Sequence, residues 1–420
     1  MLRILLKKIY KVFTFFVEGR GVRTVFKKLW NKFWKAIDIV LGIIPRIILK
    51  YSVKVDDNKI FFHTQENVYT CNPKYITEEL LRRSEDVSVV WRGDSYKSSG
   101  VPFGIKVVKY NSYDYFKEIY SAKIVVTNSS LFLGMPVFLK KDQVLFETWH
   151  GSLGLKKWSK SDIKDSFKRV FALEQTGRMT DYCISNSELE NGSMRSTYWP
   201  KTEILKYGHA RNDIFFDRYK EKREEVKKAF FEKYQLEEET KLALYAPTFR
   251  DSIDSFSVYN IDYEKVSKTL ENKFGGDWKI IVKFHPSLRT EIKRKNIVFT
   301  QSVINATGFK DMQELISIID LGITDYSSWI YDYILTRKPG FIYAEDIEEY
   351  SKHDRGFYYP ITETPFSIST NSEELCSNII KFDGDLYRRK VEEFLEDKGC
   401  VDDGHASERI VDKFLEILDD

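Results

Sequence analysis

Apolar positions recur at helical spacing at the very start of the chain, where Leu2, Leu5, Leu6, Ile9, Val12, Phe13, Phe16 and Val17 alternate with Lys7, Lys8 and Lys11. After Gly21 the pattern resumes with Val25, Phe26, Trp30, Phe33 and Trp34 against Lys27, Lys28, Lys32 and Lys35. Two amphipathic helices are expected. The most apolar stretch, Ile37 to Leu49, is interrupted by Asp38, Gly42, Pro45 and Arg46, so it falls short of the roughly 20 apolar residues that span a bilayer. No compact apolar core precedes a small-residue cleavage site, as a secretory signal requires.

From residue 59 the period changes. Short apolar runs at 59–64, 87–91, 105–110, 123–128, 143–149 and 181–186 read as strands, several of them apolar at nearly consecutive positions, as buried parallel strands are. Segments 112–121, 161–174 and 187–196 between them read as helices. A charged helix over 218–236 leads to a second series, with strands at 242–247, 278–284, 296–300, 321–325 and 340–345. Helices at 262–273, 311–319 and 327–336 separate these, and 385–397 and 405–418 close the chain. Such alternation predicts an α/β protein of two doubly wound, Rossmann-like lobes. The expected divisions are a basic segment 1–50, a first lobe 51–212, a second lobe 213–400 and a C-terminal helix 401–420. Ligands of such sheets bind at the carboxyl ends of the strands, which face a cleft between the lobes.

Charge sharpens the picture of the first 50 residues. They hold 12 Lys or Arg against Glu18 and Asp38, a balance of +10, which leaves −7 on the rest of a chain whose total is +3. Basic residues beside Trp and Phe suit helices lying in the headgroup region of an anionic membrane surface. A basic arm packed on the protein itself is the competing account. Nucleic acid is a poor partner, because no reader fold is recognisable and the body is acidic. The four cysteines are widely separated without metal-ligand spacing, and no clustered His and carboxylate set offers a metal a seat. A reducing compartment fits them best.

Three of the six histidines fall at or just after strand ends. His150 opens HGSLGLKKW, in which Gly151 and Gly154 permit close backbone approach and Lys156 and Lys157 supply cations. His285 follows the strand at 278–284. His209 lies in YGHARND, near the expected lobe junction. In the second lobe, ITDYSSWIYDY places Thr324, Ser327 and Ser328 at a helix start, where hydroxyls and free N–H groups favour an anion. Asp325 would repel that anion, and it suits a cap or a fixing role instead.

The ordered set is more specific than any member. THGSLGLK with Trp149 inserted after Thr148, YAPTFR (245–250), KFHP (283–286), TDYSSWIYDY (324–333) and RGFYY (355–359) resemble the motifs of the CDP-glycerol glycerophosphotransferase family, which builds teichoic acids and related capsules. YGHARND (207–213) is similar to that family's junction motif. The likeness covers about residues 120–400. It implies a GT-B arrangement and the transfer of glycerol phosphate, or a related polyol phosphate, from CDP-glycerol or CDP-ribitol to a hydroxyl of a lipid-linked glycan or polymer, with release of CMP. No tightly bound cofactor or metal is implied, and the family's place is the cytoplasmic face of the cell membrane. In these terms His150 is the expected base, and His285, Thr324, Ser327, Ser328 and the Gly151 backbone hold the diphosphate. Arg250 and Arg211 are further anion contacts, with Lys156, Lys157 and Arg355 on the acceptor side. The same fold also hosts UDP-sugar transfer and epimerisation, and a degenerate, non-catalytic scaffold is the remaining alternative.

Overall fold

In the computed structural model, residues 42–419 are described apart from 66, 85, 96–99, 134–135, 155, 158–166, 249–260, 285–298, 301 and 348–356. The amphipathic pattern of residues 1–36 lies outside the described residues. Residues 42–52 are helical, and no helix among the described residues is long and apolar enough to cross a membrane.

The first sheet comprises β1 (Asp56–His63), β2 (Ser88–Arg92), β3 (Lys106–Val108), β4 (Ala122–Thr127), β5 (Val144–Glu147), β6 (Tyr182–Ser185) and β7 (Glu203–Lys206). The second comprises β8 (Lys241–Tyr245), β9 (Trp278–Val282), β10 (Val303–Asn305), β11 (Leu321–Thr324), β12 (Gly340–Tyr343) and β13 (Ser367–Ser369). Strand order is β3-β2-β1-β4-β5-β6-β7 in one and β10-β9-β8-β11-β12-β13 in the other. All pairings are parallel. The order reverses beside β1 in the first sheet and beside β8 in the second, which fixes a crevice at the carboxyl edge of each.

Both faces of each sheet are covered, and this explains the near-continuous apolar runs. Ile60 and Phe62 join a core on one side of the first sheet, whereas Phe61 joins the core on the other; all three are fully buried. Leu244 and Ala243 divide in the same way between the two cores of the second sheet.

The described elements depart from expectation at several places. Helices Cys71–Arg83 and Ser372–Ile380 and strands β7 and β13 were not expected. The strand expected at 296–300 lies partly outside the described residues; Phe299 and Thr300 are not extended into the sheet, and β10 forms at Val303–Asn305 instead. There Val303 opposes Ile280 and is buried against it. The helix expected at 405–418 forms over Ala406–Asp419 and packs back on the first lobe: Ile410, Val411 and Phe414 sit in the Ile60/Phe62 core, with Phe414 edge-on to Phe146 at 4.7 Å.

Candidate active site

The carboxyl ends of β1, β4 and β5 face those of β8, β9 and β11 across a cleft of ≈600 Å³, a size suited to a small organic ligand. His150 stands on its first-lobe wall. The backbone reaches it through Trp149, whose φ of 50° is the left-handed conformation that a bulky side chain rarely adopts. Two bonds hold that turn: the Trp149 N–H donates to the buried Glu147 carboxylate at 2.8 Å, and the Thr148 N–H donates to Thr127 O at 2.8 Å. Gly151 follows because a Cβ there would lie 2.7 Å from the Trp149 indole nitrogen.

The His150 tautomer follows from its partner. Nδ1 lies 2.9 Å from the Asn128 carbonyl, an acceptor only, so Nδ1 carries the proton and donates it. Nε2 is left with a lone pair. Desolvation pulls the imidazole down to about 4, against the Asn128 hydrogen bond, and the Arg211 and Arg169 charges act in the same downward direction. The ring keeps an edge open to the cleft and is neutral at physiological pH, as a proton acceptor must be.

A buried polar hub fixes the loop behind it. Asn72, at the start of helix Cys71–Arg83, donates to Thr148 O at 2.8 Å and accepts from the Arg211 N–H at 3.1 Å. These bonds set its amide orientation, so the same NH2 group faces His209 Nδ1 at 3.2 Å. His209 therefore accepts at Nδ1 and donates from Nε2 to Glu190 at 2.9 Å. Fully buried with both nitrogens engaged, it serves the junction and has no access to the cleft.

Arg211 crosses the junction. Its Nε donates to Asp332 Oδ2 at 3.1 Å and its Nη2 to Gly151 O at 2.6 Å, tying the His150 loop to the second lobe. Burial opposes the guanidinium charge, but Asp332 more than offsets this and holds it above the ordinary arginine value. Arg211 also lines the cleft, where it was expected as a phosphate contact, and its charge is matched there by a buried carboxylate, in an environment where a lone cation would be unstable. Asp332 also accepts from Asn212 at 3.1 Å and Gln313 at 3.2 Å. Nearby, Asp402 accepts from Asn186, Asn212 and the His209 N–H. Lys74 adds a second tie between lobes, at 2.6 Å from Asp311 and 2.5 Å from Glu314.

After Gly151 the chain enters the second lobe. Leu153 is fully buried in the core that also holds Leu244 and Ile330, and Tyr359 Oη donates to its carbonyl. A Cβ on Gly154 would stand 3.3 Å from Ser328 Cβ, so the first-lobe loop and the second-lobe serines touch. Lys156 Nζ donates to Thr248 Oγ1 at 3.2 Å. Lys157 is half-buried one residue on.

On the second wall, Ser327 and Ser328 line the cleft. Thr324 does not: it ends β11, is fully buried, and spends its hydroxyl on the Ala246 carbonyl at 2.7 Å. Its expected part in anion binding is corrected accordingly. Asp325 takes the fixing role expected for it, since Oδ1 accepts the Thr248 N–H at 2.8 Å and the Tyr326 N–H at 2.5 Å. His285, Arg250 and Arg355 lie outside the described residues. Sequence reasoning did not find Asn72, Asn128, Asp332 or Asp402; each is a short polar residue whose partners are tens to hundreds of positions away.

Comparison with known proteins agrees with this geometry. Residues 46–416 match the family described as CDP-Glycerol:Poly(glycerophosphate) glycerophosphotransferase. A teichoic acid poly(glycerol phosphate) polymerase of Staphylococcus epidermidis is 30% identical over 82% of this chain, which spans 48% of that relative's length. The poly(glycerol phosphate) polymerase of Bacillus spizizenii is 24% identical, with 93% of this chain and 98% of the relative covered. Among solved structures, the wall teichoic acid polymerase TagF superposes with a TM-score of 0.77 at 27% identity, covering 93% of this chain and 98% of that one. With two parallel sheets facing one cleft and a family match over most of its length, the chain belongs to the CDP-glycerol:poly(glycerophosphate) glycerophosphotransferase family.

Proposed function

We propose that this protein transfers glycerol phosphate from CDP-glycerol to a hydroxyl of a lipid-linked teichoic acid or capsule-type acceptor, releasing CMP, at an anionic membrane surface on the cytoplasmic side. The observation that carries the reading is the neutral His150, with Nδ1 donating to Asn128 O and Nε2 free at the cleft. The acceptor oxygen attacks the β-phosphorus as its proton passes to Nε2. The bond from that phosphorus to the oxygen bridging the two phosphates breaks, and the electron pair leaves with CMP. The Ser327 and Ser328 loop, Lys156 beside Thr248, Lys157 and the Gly151 backbone supply polar contacts around the diphosphate and the incoming hydroxyl. His285 and Arg250 are assigned to the leaving diphosphate and Arg355 to the acceptor, on their motifs alone. The 12 basic residues among positions 1–50 support the membrane assignment.

The test is CMP release from CDP-glycerol with a lipid-linked acceptor in anionic vesicles, in excess EDTA, beside CDP-ribitol and UDP-sugars. CMP and a product heavier by glycerol phosphate are expected. Release of UDP from a UDP-sugar, with CDP-glycerol inert, overturns the reading.

A further inference from the structure

Strand order in the first sheet reverses between β1 and β4, and the residues just beyond those strands, Thr64 and Gln65 on one side and Asn128 on the other, line the cleft. The second sheet reverses between β8 and β11, where Thr248 and Ser327 line the same cleft. One cleft therefore joins two crevices of the kind that hold ligands in open α/β sheets. Charge separates them. Six charged side chains line the cleft among the described residues, namely Lys156, Arg211, Lys283, Lys310, Asp311 and Asp332. None comes from the 64–71 segment or the end of β4, so that wall offers amides and hydroxyls without a cation for phosphate.

Asn128 joins this wall to the base. Its carbonyl accepts the His150 Nδ1 proton at 2.9 Å. Its Oδ1 accepts the Gln65 N–H at 3.0 Å, which fixes the amide orientation and directs Nδ2 the other way. Asn128 is 6% exposed and lines the cleft. Its NH2 group donates to nothing among the described residues, yet it is not sealed within the core. A carboxylate would serve the Gln65 bond as well. What asparagine adds is a neutral donor pair, on the residue that holds the base.

The same wall carries a hydroxyl that the fold leaves unused. Thr70 precedes helix Cys71–Arg83 as its cap residue, but its side chain makes no cap bond. Pro73, at the third helical position, has no N–H to give it. Thr70 is half-buried and lines the cleft. Donors on a wall without charge suit the hydroxyls of a neutral polyol or sugar unit, and a bound hydroxyl would satisfy an amide that the protein itself does not.

We infer that Asn128 is a substrate-binding residue: its NH2 group holds a non-reacting hydroxyl of the acceptor's neutral terminal unit, while its carbonyl fixes the imidazole that takes the proton of the reacting one. The inference rests on the proposed transfer reaction for the identity of the acceptor. One residue thereby couples recognition of the acceptor to orientation of the base, and an acceptor end lacking that hydroxyl is poorly aligned for attack.

The experiment uses the full chain at pH 8, where His150 is neutral, as wild type, Asn128→Asp and Asn128→Ser, with folding checked by near-ultraviolet circular dichroism. Asn128→Asp keeps an acceptor for the Gln65 N–H and removes the donor pair. With CDP-glycerol and the lipid-linked acceptor in anionic vesicles, acceptor KM is expected to rise at least about tenfold in either folded variant, with donor KM within about twofold of wild type. Unchanged acceptor KM, or an equal rise for the donor, overturns the inference. In a second arm, the soluble butyl diester of glycerol phosphate is titrated calorimetrically into CDP-saturated protein, beside two analogues that each lack one hydroxyl. One deletion is expected to weaken wild-type binding at least about fivefold and to leave Asn128→Asp binding unchanged. No binding of the diester by wild type, no penalty for either deletion, or the same penalty in both proteins overturns it. If neither variant folds, the wild-type deletions decide alone. Absence of CMP release by wild type would sink the proposed function and leave the titration to judge the site.

Discussion

Removing Asp332 tests how far the inter-lobe hub governs the candidate base. In Asp332→Ala, the Arg211 guanidinium remains only 4% exposed and loses its carboxylate. Breaking a buried pair in this way costs about 3–5 kcal/mol, because an uncompensated charge stays behind. Arg211→Met leaves the opposite orphan, softened by Asn212 and Gln313, which still donate to Asp332; about 2–3 kcal/mol is expected. Arg211→Met with Asp332→Leu removes both charges, while Asn212 keeps Asp402 and Gln313 keeps Asn212 as partners. The double variant should therefore be about 3 kcal/mol more stable than the sum of the single changes, equivalent to about a 150-fold coupling. The assay is urea unfolding of the four proteins, followed by circular dichroism and Trp fluorescence so that non-coincident transitions are visible. A coupling below about 0.5 kcal/mol, within the usual error of additivity, refutes the pairing argument. Turnover supplies an independent reading: all three variants lose the Arg211 bond to Gly151 O or its anchor, so each should lower kcat even where stability is recovered.

His150→Ala should lower turnover by at least about a hundredfold with folding intact. Since the imidazole must be neutral to accept a proton and its folded value is lowered to about 4, kcat/KM should stay level down through pH 6 and fall only as pH drops toward 4. An acid limb at 6.5 would show that the ring is not desolvated. Asp213 accepts the Ala406 and Ser407 N–H groups at 3.0 and 2.7 Å, so Asp213→Ala should cost about 2 kcal/mol in urea titrations. Burial raises this carboxyl to about 7 despite those bonds. Its protonated form favours the fold below pH 3.8, and that advantage is lost as pH rises through 7. Asp213→Asn should therefore gain stability relative to wild type across that window, and a pH-independent difference would count against the shift.

Periodicity made the two sheets visible because parallel strands covered on both faces must be apolar at consecutive positions, as Ile60, Phe61 and Phe62 are. His150 was legible for a related reason: a strand's end, a histidine and two glycines are contiguous. The hub was not. Asn72 meets Arg211 across 139 positions, and no local pattern distinguishes such an asparagine from a helix cap. Thr324 shows the converse, since residue type suggested an anion contact whereas the fold had already given its hydroxyl a partner. A hydroxyl at a strand's end is spent on the neighbouring strand as readily as on a ligand, and only the register of β11 against β8 decides which.

The return of helix Ala406–Asp419 to the first lobe sets an order of events during synthesis. Phe146 and Ile60 are made early, yet the residues that cover them, Phe414 and Ile410, come more than 260 positions later. At about 5–20 residues per second, some 200 residues of second lobe separate β7 from its covering helix, an interval of roughly 10–40 s. Throughout that time the part of this face that helix Cys71–Arg83 does not cover stays bare, so the growing chain presents a sticky surface to chaperones or bilayer until its closing helix arrives. A nonsense change removing residues 406–419 should consequently damage the half of the protein that was translated first.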